Sequence, residues 1–310
     1  MRVFIGAPPW KNKELLDILK QRGEIVIADK TPTKSELIGL VQEFDGIIVG
    51  RLEIIDKEVL ENSKLKFIGI EAKGTNNVDI DECKRKNIAV FYTPEANITS
   101  VAEHVLTLIL SLAKNLIKLD TSVRKEEFDK FRHSTVDVKD KTLGIIGAGA
   151  ITKEIIKRAK AFEMNILCCT KNPKKHKDLD VKFVPLTELL KNSDFISINL
   201  PLTDETKNFI DEKELSLMKK SAFLINTSRG KIVNENALVK VLKSNKIAGA
   251  GIDVFEEEPT HNRKLFELDN VILTPHVAGV SKEALYRMEK HLIDDIVAFL
   301  NNKKPKYRLV

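Results

Sequence analysis

Residues 142–170 limit what this chain can become more than any other stretch, because they set a glycine turn between two short apolar runs. Residues 143–146 are long enough for a buried parallel strand and too short for a helix. Gly147, Ala148 and Gly149 then turn the chain sharply, and Ile151, Ile155, Ile156, Ala159 and Phe162 recur at helical spacing. A second strand is expected over 165–169. Strand, tight turn, helix and strand make the unit that aims helix N-terminal amides at a pyrophosphate. Glycine serves there twice, for the turn and for close backbone approach. Two positions depart from the pattern: Thr152 stands at the third glycine position, and Thr170 where an acid is expected about 20 residues on. The stretch taken alone also fits an ordinary βα turn that uses glycine for geometry only.

At 310 residues, two domains with separate cores are expected. A hydrophobic fraction of 43% and a charged fraction of 31% are those of a globular protein. The net charge of +6 could suit an acidic partner, but the basic residues are scattered and only 171–177 is dense. A solvated surface is therefore expected, and no nucleic-acid site. Lysine makes up 40 of the 51 basic residues, so an arginine in apolar surroundings stands out. Cys83, Cys168 and Cys169 form neither a disulfide framework nor a metal pattern, and the adjacent pair reads as small core residues on opposite strand faces. Residues 2–6 already read as a strand, followed by Pro8, Pro9 and Trp10, so no secretory leader is expected. The apolar stretch at 105–113 is too short to span a bilayer, and a cytoplasmic protein without a membrane partner is expected.

Residues 1–93 alternate apolar runs at 3–5, 25–28, 46–49, 67–70 and 88–91 with helical stretches, which implies a small parallel sheet covered on both faces. Ligands of such sheets sit beyond the carboxyl ends of the strands, where the loop 72–77 falls, although that loop also reads as a plain surface turn. After Thr93 and Pro94, Asn97 or Thr99 should cap a helix whose apolar face is Val101, Val105, Leu108, Ile109 and Leu112. This helix should be buried, and His104 within it reads as structural. Further strands are expected at 182–184, 195–199, 223–226, 247–254 and 271–273, giving a second, doubly wound sheet. Leu200 and Pro201 end one of them, where an adenine or ribose would lie. A last helix covers 281–300, with a polar tail after Lys303.

Three strand ends carry chemistry. Arg229 follows the strand at 223–226, the acids Glu256, Glu257 and Glu258 follow the next, and His276 follows the last. Singly these read equally as a surface arginine, an acidic loop and one of six histidines. Together, at the sheet edge of the glycine turn, they set a cation, a carboxylate and an imidazole around one crevice. That set suits reduction of a 2-oxo acid. Hydride delivery builds negative charge on the carbonyl oxygen, which calls for a proton donor, and histidine titrates in the useful range. A neighbouring carboxylate favours a charged imidazole and orients it. An arginine can hold the substrate carboxylate in a fork.

The stretches GAGAIT (147–152), LPLTDETKNFI (200–210), LINTSRG (224–230), GAGIDVFEEEP (249–259) and LTPHVAG (273–279), with NITSVAEHV (97–105), occur in that order. In them the chain resembles the D-isomer-specific 2-hydroxyacid dehydrogenases. The resemblance implies an α/β protein of two doubly wound domains. A Rossmann-type dinucleotide-binding domain (95–281) is inserted in a smaller flavodoxin-like substrate domain (1–94 plus 282–310), with a cleft that closes over substrate. It implies catalytic Arg229, Glu258 and His276, and no metal. Cofactor contacts are implied for Gly147, Gly149, Ala150, Ile151, Thr227, Ser228, Asp253, Ala278 and Gly279, with Leu200 and Pro201 beside them. Asp253 would bind the nicotinamide carboxamide, and backbone amides at Lys73 and Gly74 would hold the substrate carboxylate beside Arg229. A homodimer is implied.

Relatives acting on phosphoglycerate carry an arginine at the position of Gly50 and lack a lysine at that of Lys73, although Arg51 or Lys73 itself could substitute. Glyoxylate or hydroxypyruvate is the preferred substrate. D-3-phosphoglycerate dehydrogenation and a non-enzymatic NAD(P)-sensing regulator remain as alternatives, the sensor disfavoured because no interaction module is appended. NADP is preferred over NAD as cofactor. An acid at the end of the second strand would repel a 2′-phosphate, whereas Thr170 and Lys171, followed by Lys174 and Lys175, would pair with one. No Asp or Glu lies between Glu163 and Asp178 to oppose it.

Overall fold

A computed structural model describes residues 1–6, 12–50, 52–131 and 134–310. Pro8, Pro9, Trp10 and Arg51, which entered the argument above, lie outside the described residues. The chain divides into two compact units, 1–97 with 281–310, and 98–280.

The first unit runs β1 (Arg2–Ile5), α1 (Lys13–Lys20), β2 (Glu24–Ile27), α2 (Lys34–Glu43), β3 (Gly46–Val49), α3 (Lys57–Leu60), β4 (Phe67–Ile70), α4 (Ile80–Arg85) and β5 (Ala89–Tyr92). Its strands pair in parallel in the order β2-β1-β3-β4-β5, the flavodoxin-like order. β3 and β4 are buried at every position, as strands covered on both faces must be, which is why they read as unbroken apolar runs. Turn chemistry starts the helices. Thr33 and Glu36 form a reciprocal capping box, and the Asp56 and Asp79 carboxylates accept the Val59 and Glu82 N–H groups. The last helix of the chain, Lys282–Leu300, returns to this unit and packs Leu292, Ile293 and Ile296 among Ile5, Phe67 and Phe91. The tail beyond it is polar by composition yet ordered by pairing. Leu309 N donates to Val90 O, and the buried Asp295 carboxylate accepts the Lys306 and Tyr307 N–H groups.

The second unit runs α5 (Ile98–Ala113), α6 (Leu116–Arg124), β6 (Thr142–Ile146), α7 (Ala150–Ala161), β7 (Asn165–Cys169), β8 (Lys182–Phe183), α8 (Leu186–Asn192), β9 (Phe195–Ile198), α9 (Glu212–Ser216), β10 (Phe223–Asn226), α10 (Glu235–Lys243), β11 (Gly249–Ile252), α11 (Arg263–Phe266) and β12 (Val271–Leu273); the returning helix above is then α12. All seven strands are parallel, in the order β12-β11-β10-β9-β6-β7-β8. Counted from β6, this is the doubly wound dinucleotide-binding order with one strand added. The direction of winding reverses between β6 and β9, so the glycine turn after β6 stands at the switch point where such sheets bind ligands. Helix α5 is core on most of its circumference: Leu106 and Ile109 pack with Ile155, Ile156 and Ala159 of α7. Leu108 lies so close to β11 that a Cβ on Gly251 would sit 3.1 Å from its own. Cys168 is buried and Cys169 half-buried, as adjacent strand positions dictate. No single helix among the described residues is long and apolar enough to cross a membrane. The bent pair α5–α6 passes only by length and composition, and α5 is mostly buried.

Candidate active site

The glycine turn is built for close approach. Gly147 has φ +104, and a Cβ there would fall 2.3 Å from the Asn199 carbonyl oxygen, so only glycine fits between β6 and the end of β9. Gly149 is the N-cap of α7 with no side-chain cap, and a Cβ on it would meet nothing within 4 Å. The first-turn amides of a twelve-residue helix thus open onto free space without a capping side chain. Thr152 explains its own departure from the glycine pattern: fully buried, it returns its hydroxyl to the Gly147 carbonyl at 2.9 Å and ties the turn to the helix. Across the switch point, Ser228 Oγ donates to Ile198 O at 2.6 Å, and Thr227 Oγ1 is buried without a hydrogen-bond partner. An open helix terminus after β6 and an unpartnered buried hydroxyl after β10, two strands along the same sheet edge, fit a dinucleotide.

At the expected adenosine end the structure adds a carboxylate. Thr170 follows β7 and is half-buried, and Lys171 forms an ion pair with Glu205, from the loop after β9. The Lys171 ammonium, hydrogen-bonded to the Glu205 carboxyl, holds it below the usual carboxylate range. An acid therefore lies against the first of these lysines, 34 residues beyond it along the chain. The same loop fixes Leu200 and Pro201: Thr206 Oγ1 donates to Pro201 O at 2.6 Å and accepts Thr203 N–H at 2.7 Å.

At the other end of the sheet edge, β10 and β11 deliver Arg229 and Glu258. Arg229 is held by Nη1 donating to Ser228 O at 2.7 Å, and by the Asn226 amide on its own carbonyl. Burial pushes its guanidinium pKa down, and the charge of Glu258 pulls it back up. The two loops touch through Gly230, where a Cβ would fall 1.9 Å from the Phe255 carbonyl carbon. Of the three acids, Glu256 turns back to cap the start of α10 by accepting Glu235 N–H. Glu258 accepts Phe255 N–H with one oxygen and meets His276 Nδ1 at 2.6 Å with the other. With Nδ1 engaged, Nε2 is the ring nitrogen left for chemistry.

Asp253 has no exposed surface. Its oxygens accept the Thr274 hydroxyl at 2.5 Å and the Val277 and Ala278 N–H groups at 2.9 Å each. The Asp253 carboxylate thus grips the loop that carries His276. That grip takes the Ala278 N–H, at the head of the expected cofactor residues Ala278 and Gly279. Lys73 and Gly74 belong to the first unit, in a loop shaped by Asn77, whose amide donates to Gly50 O and Glu53 O. Sequence reasoning missed Glu205, Thr274 and the part played by His104, whose Nε2 lies 3.1 Å from Thr274 Oγ1. Only His104's helical phase, between the buried Val101 and Val105, could have hinted at an inward role.

A doubly wound parallel sheet with an open helix terminus at its switch point, and an imidazole–carboxylate pair beside an arginine, defines a dinucleotide-dependent oxidoreductase. Residues 106–278 match the family model described as D-isomer specific 2-hydroxyacid dehydrogenase, NAD binding domain. The chain is 41% identical over 286 residues to a glyoxylate reductase of Thermococcus litoralis, covering 89% of this chain and 86% of that protein. It is 37% identical to a D-3-phosphoglycerate dehydrogenase of Methanocaldococcus jannaschii, covering 88% of this chain and 53% of the relative. Among solved structures, an acyclic imino acid reductase in complex with NADPH and D-Arg superposes with a TM-score of 0.91 at 30% identity over the whole of both chains. The chain belongs to the D-isomer specific 2-hydroxyacid dehydrogenase family. It is an NAD(P)-dependent oxidoreductase acting on small 2-oxo and 2-hydroxy acids.

Proposed function

We propose that the protein reduces glyoxylate or hydroxypyruvate to the corresponding 2-hydroxy acid, with NADPH preferred over NADH. The observation that carries the reading is the 2.6 Å contact between His276 Nδ1 and Glu258, which orients the imidazole and leaves Nε2 to hold a proton. Bound NAD(P)H supplies the hydride. His276 Nε2 donates its proton to the carbonyl oxygen as charge builds there. Glu258 keeps the ring in place and complements its positive charge. Arg229, held from behind by Ser228, takes the substrate carboxylate in a two-pronged contact and polarises the adjacent carbonyl. Lys73 and Gly74 are further carboxylate-binding groups on the family pattern. Gly147, Gly149, Ala150 and Ile151 would receive the pyrophosphate, with Leu200, Pro201, Thr227, Ser228 and Gly279 lining the cofactor.

The NADPH preference rests on Thr170 and on the lysines after it. Because Lys171 is shared with Glu205, the preference should be about tenfold, since each exposed pair contributes roughly 1 kcal/mol or less. The substrate reading is supported by the glyoxylate reductase among the relatives and by Gly50, where phosphoglycerate enzymes carry an arginine. A cytoplasmic homodimer is proposed with it. Leu116, Ile117, Val123, Phe128 and Phe131 are exposed on and just after α6, an apolar set that a second copy would cover. The test is a panel of 2-oxo acids with NADH and NADPH, and of D-3-phosphoglycerate with both oxidised cofactors, followed by absorbance. Turnover concentrated on glyoxylate or hydroxypyruvate supports the reading. Turnover concentrated on phosphoglycerate replaces it.

A further inference from the structure

His276 has φ +54, in the left-handed region that L side chains seldom adopt, so its conformation persists only if the surroundings enforce it. The enforcement is visible. His276 N donates to Asp253 O at 2.8 Å, and the next two amides, Val277 N and Ala278 N, donate to Oδ1 and Oδ2 of the Asp253 carboxylate. This carboxylate has no exposed surface, and its third donor is Thr274 Oγ1 at 2.5 Å. A threonine hydroxyl has one proton. Given to Asp253, it leaves the oxygen as an acceptor, and the atom 3.1 Å from it is His104 Nε2. Donor counting therefore makes His104 Nε2 an N–H donor, and the same atom is 3.6 Å from Asp253 Oδ1. His104 is borne by α5, whose Leu108 lies against β11, the strand that ends at Asp253.

We infer that His104 is a positioning residue for His276: through Thr274 and the Asp253 carboxylate it holds the 274–278 turn in the shape that sets His276 against Glu258. The inference rests on the reading of His276 as proton donor. Asp253 needs all its donors, because a carboxyl group with no exposed surface has protein hydrogen bonds in place of water, and the His104–Thr274 step completes the set. Removing that step leaves the cofactor-binding glycine turn untouched while loosening the proton donor.

The experiment measures kcat, KM and cofactor affinity, the last by fluorescence titration, for His104→Leu, Thr274→Val and Thr274→Ser, each alone and with His276→Asn. His104→Leu and Thr274→Val should lower kcat about tenfold to a hundredfold, the scale of an ångström-sized misplacement, with cofactor affinity held. Thr274→Ser, which keeps the hydroxyl, should restore most of the rate. In the His276→Asn background the same changes should cost about twofold or less, because contacts that act through one residue are not additive. Equal losses in both backgrounds, wild-type kcat in the single variants, or failure of Thr274→Ser to recover would overturn the inference. If His104→Leu does not fold, the Thr274→Val and Thr274→Ser pair decides by the same criteria. Undiminished turnover of His276→Asn alone would instead end the proton-donor reading, which separates the two failures.

Discussion

Glu256, Glu257 and Glu258 are neighbours with the same charge, yet Glu258 is the one that meets His276, because Glu256 is turned back onto Glu235 N–H. Sequence order marked the acid before Pro259 only by family resemblance; what selects it physically is its anchor on Phe255 N–H. Arg229 faces this carboxylate from a half-buried position, where its fork geometry matters more than its charge. Arg229→Lys should therefore lower kcat/KM about tenfold to a hundredfold, the value of one charge-assisted contact, in steady-state assays with the preferred 2-oxo acid. An unchanged kcat/KM would remove Arg229 from substrate binding. At the cofactor end, Glu205→Gln should raise the NADPH-to-NADH ratio of kcat/KM by roughly twofold to fivefold, and Thr170→Asp should swing it toward NADH. A ratio unmoved by both would refute the 2′-phosphate reading. The residues that chemistry needs at strand ends were legible from type and spacing. Glu205 and Thr274 were not, because their partners lie 34 and 170 residues away along the chain, and nothing local marks either contact.

At the scale of elements, the turns between strand and helix do the positioning, and two of them depend on a missing side chain. Gly147 lets β6 approach the end of β9, and Gly230 lets the loop after β10 touch the loop after β11. A Cβ at Gly230 would overlap the Phe255 carbonyl carbon, so Gly230→Ala must push aside the loop that carries Glu258. The expected outcome is a fall in kcat larger than any fall in cofactor affinity, read by assay and fluorescence titration on the same preparation. Equal falls in both would mean that the loop contact serves folding and not the site. The strands of both sheets and their parallel pairing were legible because buried strands are short, apolar and separated by helical spacing. The pairing of the tail with β5 was not legible: its composition is polar, and its order comes from Asp295, a buried acid on α12.

For the whole molecule, two properties follow from surfaces and sites together. Phe128 and Phe131 are 80% and 92% exposed and follow the exposed Leu116, Ile117 and Val123 along the chain, and exposed apolar residues of this kind suit an interface. Size-exclusion chromatography should show a dimer, and the double variant Phe128→Asp, Phe131→Asp should shift it toward monomer; an unshifted dimer would place the interface elsewhere. On the proposed function, His276 serves proton donation while the glycine turn after β6 holds the pyrophosphate of the cofactor. The most direct measurement is single-turnover reduction of glyoxylate or hydroxypyruvate by the His276→Asn variant, beside a fluorescence titration of NADPH on the same preparation. Cofactor affinity should stay within about twofold of the wild type while hydride transfer slows by ~10²–10⁴-fold. Hydride transfer at the wild-type rate would contradict the assignment of His276 as the proton donor.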